Sequence, residues 1–365
     1  MEPICVDISG IYYKLYPGYG TAAVCGASPN TTHANIRSSI TYNSVTYKVD
    51  GINDAAFFQC MYIHALYIPS TVTYIGNRIF QNGNFPESIE VQYGNPKYDS
   101  RNNCNAIIET ATNKLICGSP KTIIPSSVKR IGFCALAGCK SLKSITIPYG
   151  VEYIDSSAFD NCTDLKTITI PNSVKEINFA AFAGCTALTS IDIPHGVKII
   201  GEEAFSKCKS LYSIIIPDSV KEIGDKAFEG CSRLTSVVIH DGVVNLGSMA
   251  FSGCTSLVSI VIPNSVSEIG WCVFSGCTSL ISITIPNGIT SIFVRAFYGC
   301  TSLVSMNISS SVTLICDDAF SQCSSLNQIY YAGTKAQWER IEKGDLWNND
   351  SNIQIIRCTD GEIKL

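Results

Sequence analysis

Apolar and polar positions along this chain repeat every 23 residues, a period no single strand or helix can produce. Cysteines stand at 139, 162, 185, 208, 231, 254, 277, 300 and 323. Three residues before each is an apolar side chain: Leu136, then Phe159, Phe182, Phe205, Phe228, Phe251, Phe274, Phe297 and Phe320. Three residues after each is a leucine, from Leu142 to Leu326, and six and eight after it come pairs such as Ile145 with Ile147 and Ile260 with Ile262. A proline commonly follows, then Val at twelve (Val151, Val174, Val197) and Ile at fifteen (Ile154, Ile177, Ile200). The L-x-x-I-x-I segment alternates apolar with polar, which predicts one short strand with its apolar side inward. Proline cannot donate to a strand ladder, so the strand ends there, and Asn-Ser, Asp-Ser or Asn-Gly supplies the turn. Val and Ile mark a second extended pass, and the Ala-Phe before Cys closes the coil. A lone 23-residue coil cannot bury enough apolar surface to offset the ordering of its backbone, so coils must stack. The expectation is a right-handed solenoid, mostly β, with one short parallel strand per repeat.

The unit F-x-G-C-x-x-L-x-S-I-x-I-P-x-S-V-x-x-I-G, carried by Phe251–Gly270, resembles the BspA-like leucine-rich repeats of bacterial surface proteins. The resemblance covers roughly residues 49–331, and Tyr330-Tyr331-Ala332-Gly333-Thr334 followed by Gln337-Trp338 resembles the family's C-terminal close. It implies a leucine-rich repeat solenoid and a non-catalytic module of recognition or adhesion, at the cell surface or secreted, with host matrix proteins or neighbouring cells as partners. The N-terminus, Met1-Glu2-Pro3-Ile4-Cys5, has no basic start or apolar run and does not read as a signal peptide, so the residues by themselves leave a cytoplasmic location open.

Residues 1–48 read as an N-terminal β-hairpin cap, 49–331 as the solenoid and 332–365 as a C-terminal helix and strand cap, all one cooperative array. In the first, Ile11–Leu15 and Ala22–Val24 flank Pro17-Gly18, and Ile40–Tyr42 and Val45–Tyr47 flank Asn43-Ser44. Register is lost across about 93–121, where Ala106–Glu109 and Lys114–Cys117 predict a hairpin. This interruption is either an elongated repeat or a ligand-binding insertion. Thr334-Lys335-Ala336-Gln337 is a capping box, predicting a helix as far as about Glu342.

Composition narrows the function. Charged residues make up 15% and hydrophobic ones 46%, with a net charge of −4. That excludes disorder, and without a basic excess nucleic acid is not an expected partner. No apolar run approaches the roughly 20 residues of a membrane-spanning helix, so membrane insertion is not expected. Stacked thiols with parallel Cβ directions lack disulfide geometry. Cys134 and Cys139 stand five apart, as do Cys272 and Cys277, and no metal site is expected. The ladder cysteines read as small buried hydrophobes, reduced even in an exported protein. His33, His64, His195 and His240 accompany no triad or metalloprotease motif. No catalytic residue or cofactor is expected, and the chain does not read as an enzyme.

With the repeated positions committed to the core, information about partners lies in the variable ones. Seven residues after each Cys the outward strand position turns apolar at Ile215, Val238 and Val261. Four after, it carries Tyr212, Val258, Ile281 and Val304. Serine recurs between the two, so these side chains are expected to form an exposed apolar stripe, the mark of an interface. A second candidate patch is Met249, Trp271 and Phe293, since exposed Trp is a frequent binding anchor. The blander alternative is that β-branched residues simply suit strands and that corner packing absorbs Trp271. A protein ligand leads the functional reading. The alternatives are a carbohydrate held by exposed aromatics such as Tyr212 and Trp271, or self-association as a homodimer.

Overall fold

Each L-x-x-I-x-I segment can bury one side only by pairing sideways with its counterpart in the next coil, and in the computed structural model, which describes residues 4–365, most do so. The chain forms two compact units, one ending at Pro171 and the other beginning at Asn172. Each is a stretch of leucine-rich repeat β-solenoid. The α-helix among the described residues is Lys335–Glu339.

The first unit opens on an antiparallel meander of Ile4–Ile8, Ile11–Tyr16 and Thr21–Ala27. Thr21–Ala27 pairs parallel with Val45–Ile52, which also holds Ser39–Tyr42 in a hairpin. Asn43 and Ser44 at its tip have φ of 48° and 64°, the left-handed pair of a two-residue turn whose twist matches its strands. His33–Asn35 lies within the N-terminal stretch yet pairs parallel with Ala65–Ile68, and that strand with Ser88–Val91. Across the interruption, Ile107–Glu109 runs antiparallel to Lys114–Cys117, and the latter pairs parallel with Arg130–Ile131. The hairpin thus feeds the ladder of second strands. Gly83 occupies a cysteine place because a Cβ there would sit 2.9 Å from the Cys60 carbonyl oxygen.

In the second unit, parallel strands run in order from Ser213–Ile216 through Ser236–Ile239, Ser259–Val261, Ser282–Ile285, Ser305–Ile308 and Gln328–Tyr331 to Ile355–Cys358. Gly361–Lys364 closes the sheet antiparallel. Two-residue strands such as Glu222–Ile223 and Asn245–Leu246 form the second ladder. The C-terminal helix has the expected capping box: Thr334 accepts from the Gln337 amide, and the Gln337 side chain accepts from the Thr334 N–H. It ends at Glu339, short of the predicted end, because Glu342–Lys343 is drawn into pairing with Leu314–Ile315.

The core is a set of columns. Phe182, Phe205, Phe228, Phe251, Phe274, Phe297 and Phe320 stack with centroids 5.3–5.8 Å apart, and Trp347 meets Phe320 edge-on. Such offset ring pairs add roughly 0.5–1.5 kcal/mol each beyond burial. Beside this column run the cysteines. Burial pushes the thiols of Cys231 and Cys277 up to about 12. Cys162 in the first unit, and Cys208, Cys231, Cys254, Cys277, Cys300 and Cys323 in the second, each donate to the carbonyl oxygen 26 residues earlier, at 3.0–3.3 Å. The thiol is therefore a buried donor as well as a space-filler.

Two left-handed residues turn each coil near its Phe. One directly precedes Cys, as at Gly230, Gly253 and Gly276 (φ 67°, 70° and 72°), and Lys207 holds that place at φ 59°. The other lies five before Cys and is never glycine: Glu203, Lys226, Met249, Cys272 and Arg295 all lie between 53° and 57°.

Candidate recognition surface

The strands of the second unit present their outward side chains in rows because their register is exact to the residue. Ile215 pairs with Val238 and Val238 with Val261. All three face solvent, Val261 at 74%. The positions three residues earlier form a second row even though they precede the strands. The Thr235 amide donates to the Tyr212 carbonyl, Val258 to Thr235, Ile281 to Val258 and Val304 to Ile281. This main-chain ladder holds Tyr212, Thr235, Val258, Ile281 and Val304 in one row. The half-buried Thr235 separates Tyr212 from the other three apolar side chains, and those four apolar residues are exposed. Ser213, Ser236, Ser259 and Ser282 separate the rows with small exposed hydroxyls. All seven stripe residues named from the sequence therefore come together on one unit. A surface of this kind desolvates readily, since its apolar groups project and its polar groups are small.

Beyond Val261 the outward row continues with Thr284, Asn307, Tyr330 and Arg357. Thr284, Asn307 and Tyr330 keep the 23-residue count, and Arg357 alone escapes it, because the stretch holding the helix sets it 27 residues after Tyr330.

The second patch is less coherent. Trp271 is 61% exposed, and its carbonyl accepts the Met249 amide at 2.7 Å. Met249 and Phe293 are half-buried, and Met249 owes its orientation to its left-handed φ of 57°.

His33 opens the strand His33–Asn35, its ring 6.4 Å from that of His64, and His195 lies in a turn. His195 Nδ1 lies 3.3 Å from Asp218 Oδ1 with both side chains mostly exposed, a pair that solvent screens almost completely. Among the described residues no group of three His, Cys, Asp or Glu is placed to hold a metal, and no helix is long and apolar enough to cross a membrane.

A family model described as a BspA type leucine rich repeat region matches residues 31–107, 106–235 and 221–343. Among solved structures, a leucine rich cell surface protein from Faecalibacterium prausnitzii A2-165 is 30% identical, with 94% of this chain and 98% of that one covered at a TM-score of 0.55. A leucine-rich repeat protein from Bacteroides ovatus ATCC 8483 is 29% identical, with 95% and 81% covered at a TM-score of 0.62. No curated protein matches.

Proposed function

The chain belongs to the BspA-type leucine-rich repeat family, and on that premise we propose that it is a non-catalytic recognition module of the cell surface that binds a protein partner through the sheet of its second unit. The observation that carries this reading is the pair of adjoining exposed rows, Tyr212, Val258, Ile281 and Val304 beside Ile215, Val238 and Val261. Burying a valine or isoleucine of such a row contributes about 1.5–3 kcal/mol, and a flat apolar patch with a polar surround is the usual anatomy of a protein interface. Tyr212, the one aromatic of the stripe, is a natural anchor. The likeness to a cell surface protein of Faecalibacterium prausnitzii supports the location.

The experiment is surface plasmon resonance of the chain over immobilised extracellular-matrix proteins, with Val261→Asp as the comparison. Burying an unpaired carboxylate in the contact should weaken binding by about two orders of magnitude, roughly 3 kcal/mol. Retained affinity in a folded Val261→Asp variant removes the sheet face from the reading.

A further inference from the structure

The outward row of the second unit changes chemistry along its length. After the apolar segment come a hydroxyl, a carboxamide, a phenol and a guanidinium on successive strands, with Thr284 paired to Asn307, Asn307 to Tyr330 and Tyr330 to Arg357. They border an open cavity of about 450 Å³, rimmed also by Asn264 and Asn287. We propose that this cavity binds a neutral saccharide, with the Tyr330 ring as its stacking platform and the Thr284–Asn307 pair reading its hydroxyls. The proposal does not depend on the protein-docking stripe.

A pyranose ring is apolar on its C–H faces and ringed by hydroxyls that each donate and accept. A complementary site needs one accessible aromatic face and, beside it, donors and acceptors held in fixed positions. Tyr330 is 39% exposed and is flanked on one side by Asn307 and on the other by Arg357, so polar groups border its ring on both sides. Asn307 Nδ2 donates to Thr284 Oγ1 at 3.1 Å. That bond fixes the carboxamide, leaving Asn307 Oδ1 to accept and the Thr284 hydroxyl proton to donate. Side chains already held in place lose little entropy on binding. Arg357 Nε donates to Gln328 Oε1 at 3.2 Å, and its Nη1 is paired with Glu362. Its charge is thereby compensated, which favours a neutral sugar over an acidic one. Strands lie about 4.8 Å apart, so the four residues span about 14 Å, the reach of a short oligosaccharide rather than one ring.

The test is calorimetric titration of the full chain with cellotetraose, laminaritetraose, chitotetraose and N-acetyllactosamine, with glucuronic acid as the charged comparison. At least one neutral sugar should bind with a dissociation constant below about 1 mM. Tyr330→Ala should weaken it about tenfold or more, the loss of one ring contact, whereas Tyr330→Phe should retain it. Folding of each variant is checked by thermal melting. No binding of any neutral sugar, binding indifferent to Tyr330→Ala in the folded variant, or tighter binding of glucuronic acid each overturns the proposal.

Discussion

The thiol of Cys254 donates to the main-chain oxygen of Phe228 at 3.3 Å, and the same oxygen accepts the amide of Cys231 at 3.2 Å. One carbonyl thus closes the turn within its own coil and ties the next coil to it. The relationship explains why cysteine suits this place: the site needs a small, largely apolar side chain with one donor. Serine keeps the donor and alanine does not. Replacing Cys254 with Ala should cost about 2 kcal/mol, a small cavity plus the lost bond, and Cys254→Ser about half as much. Urea unfolding of the two variants decides the matter. If alanine proves the milder change, the thiol contributes packing alone.

The buried thiols also fix how stability responds to alkali. Cys231 and Cys277 are pushed up to about 12 by burial, while an unfolded cysteine ionises near 8.5. Below about pH 8.5 both states keep their protons and stability is level. Above it the unfolded chain binds fewer protons than the folded one, so stability falls until the folded thiols ionise near pH 12. Each thiol contributes a slope of about 1.4 kcal/mol per pH unit, so the double variant Cys231→Ser, Cys277→Ser should reduce the slope between pH 9 and 10.5 by about 3 kcal/mol per pH unit. Unfolding free energies measured across that range check it, and an unchanged slope would mean that neither thiol stays protonated in the folded state.

Backbone geometry predicts substitutions of opposite sign at equivalent places. Lys207 is exposed and sits at φ 59°, where the coils after it have Gly230, Gly253 and Gly276. An L-residue in that conformation costs about 1–2 kcal/mol, partly offset by the unfolded-chain entropy that glycine adds. Lys207→Gly should therefore stabilise by about 0.5–1 kcal/mol, and Gly253→Ala should destabilise by about 1 or more. Denaturation midpoints with unchanged m-values would confirm both directions.

The period, the Phe and Cys columns, the strand of most repeats and both rows of the stripe were legible from spacing alone, because they lie within one 23-residue unit and recur; Leu188–Ile193, which carries the same pattern, forms no strand. Three features were not. The bond from Cys254 to Phe228 spans 26 residues, one coil plus one turn, and no local pattern reveals it. The left-handed residue five before Cys is held by Glu203, Lys226 or Met249, so the glycine signature that marks such a place is missing. The last member of the outward row was hidden because Arg357 follows Tyr330 by 27 residues, whereas Thr284, Asn307 and Tyr330 keep the count. The four extra residues are taken up by the helix and its capping turn, which move the sequence out of phase while the strands stay in register.

Solution mass separates recognition of another protein from recognition of a second copy. Under the proposed reading the chain is monomeric across a wide concentration range in multi-angle light scattering, and substitution in the stripe leaves the mass unchanged. The choice of variant needs care, since Val238 and Val261 are directly paired across neighbouring strands. Aspartate at both would set like charges side by side, a destabilising arrangement. Val238→Lys with Val261→Asp removes the same apolar surface with opposite charges in its place. The exposed location of both side chains limits the cost to folding to about 1 kcal/mol. A dimer that this paired variant dissolves would show that the stripe is used between copies of the chain. The external partner would then belong to another surface, with the Trp271 patch the next to test. A monomer that keeps its mass but loses matrix binding on the same substitution would leave the sheet face as the docking site.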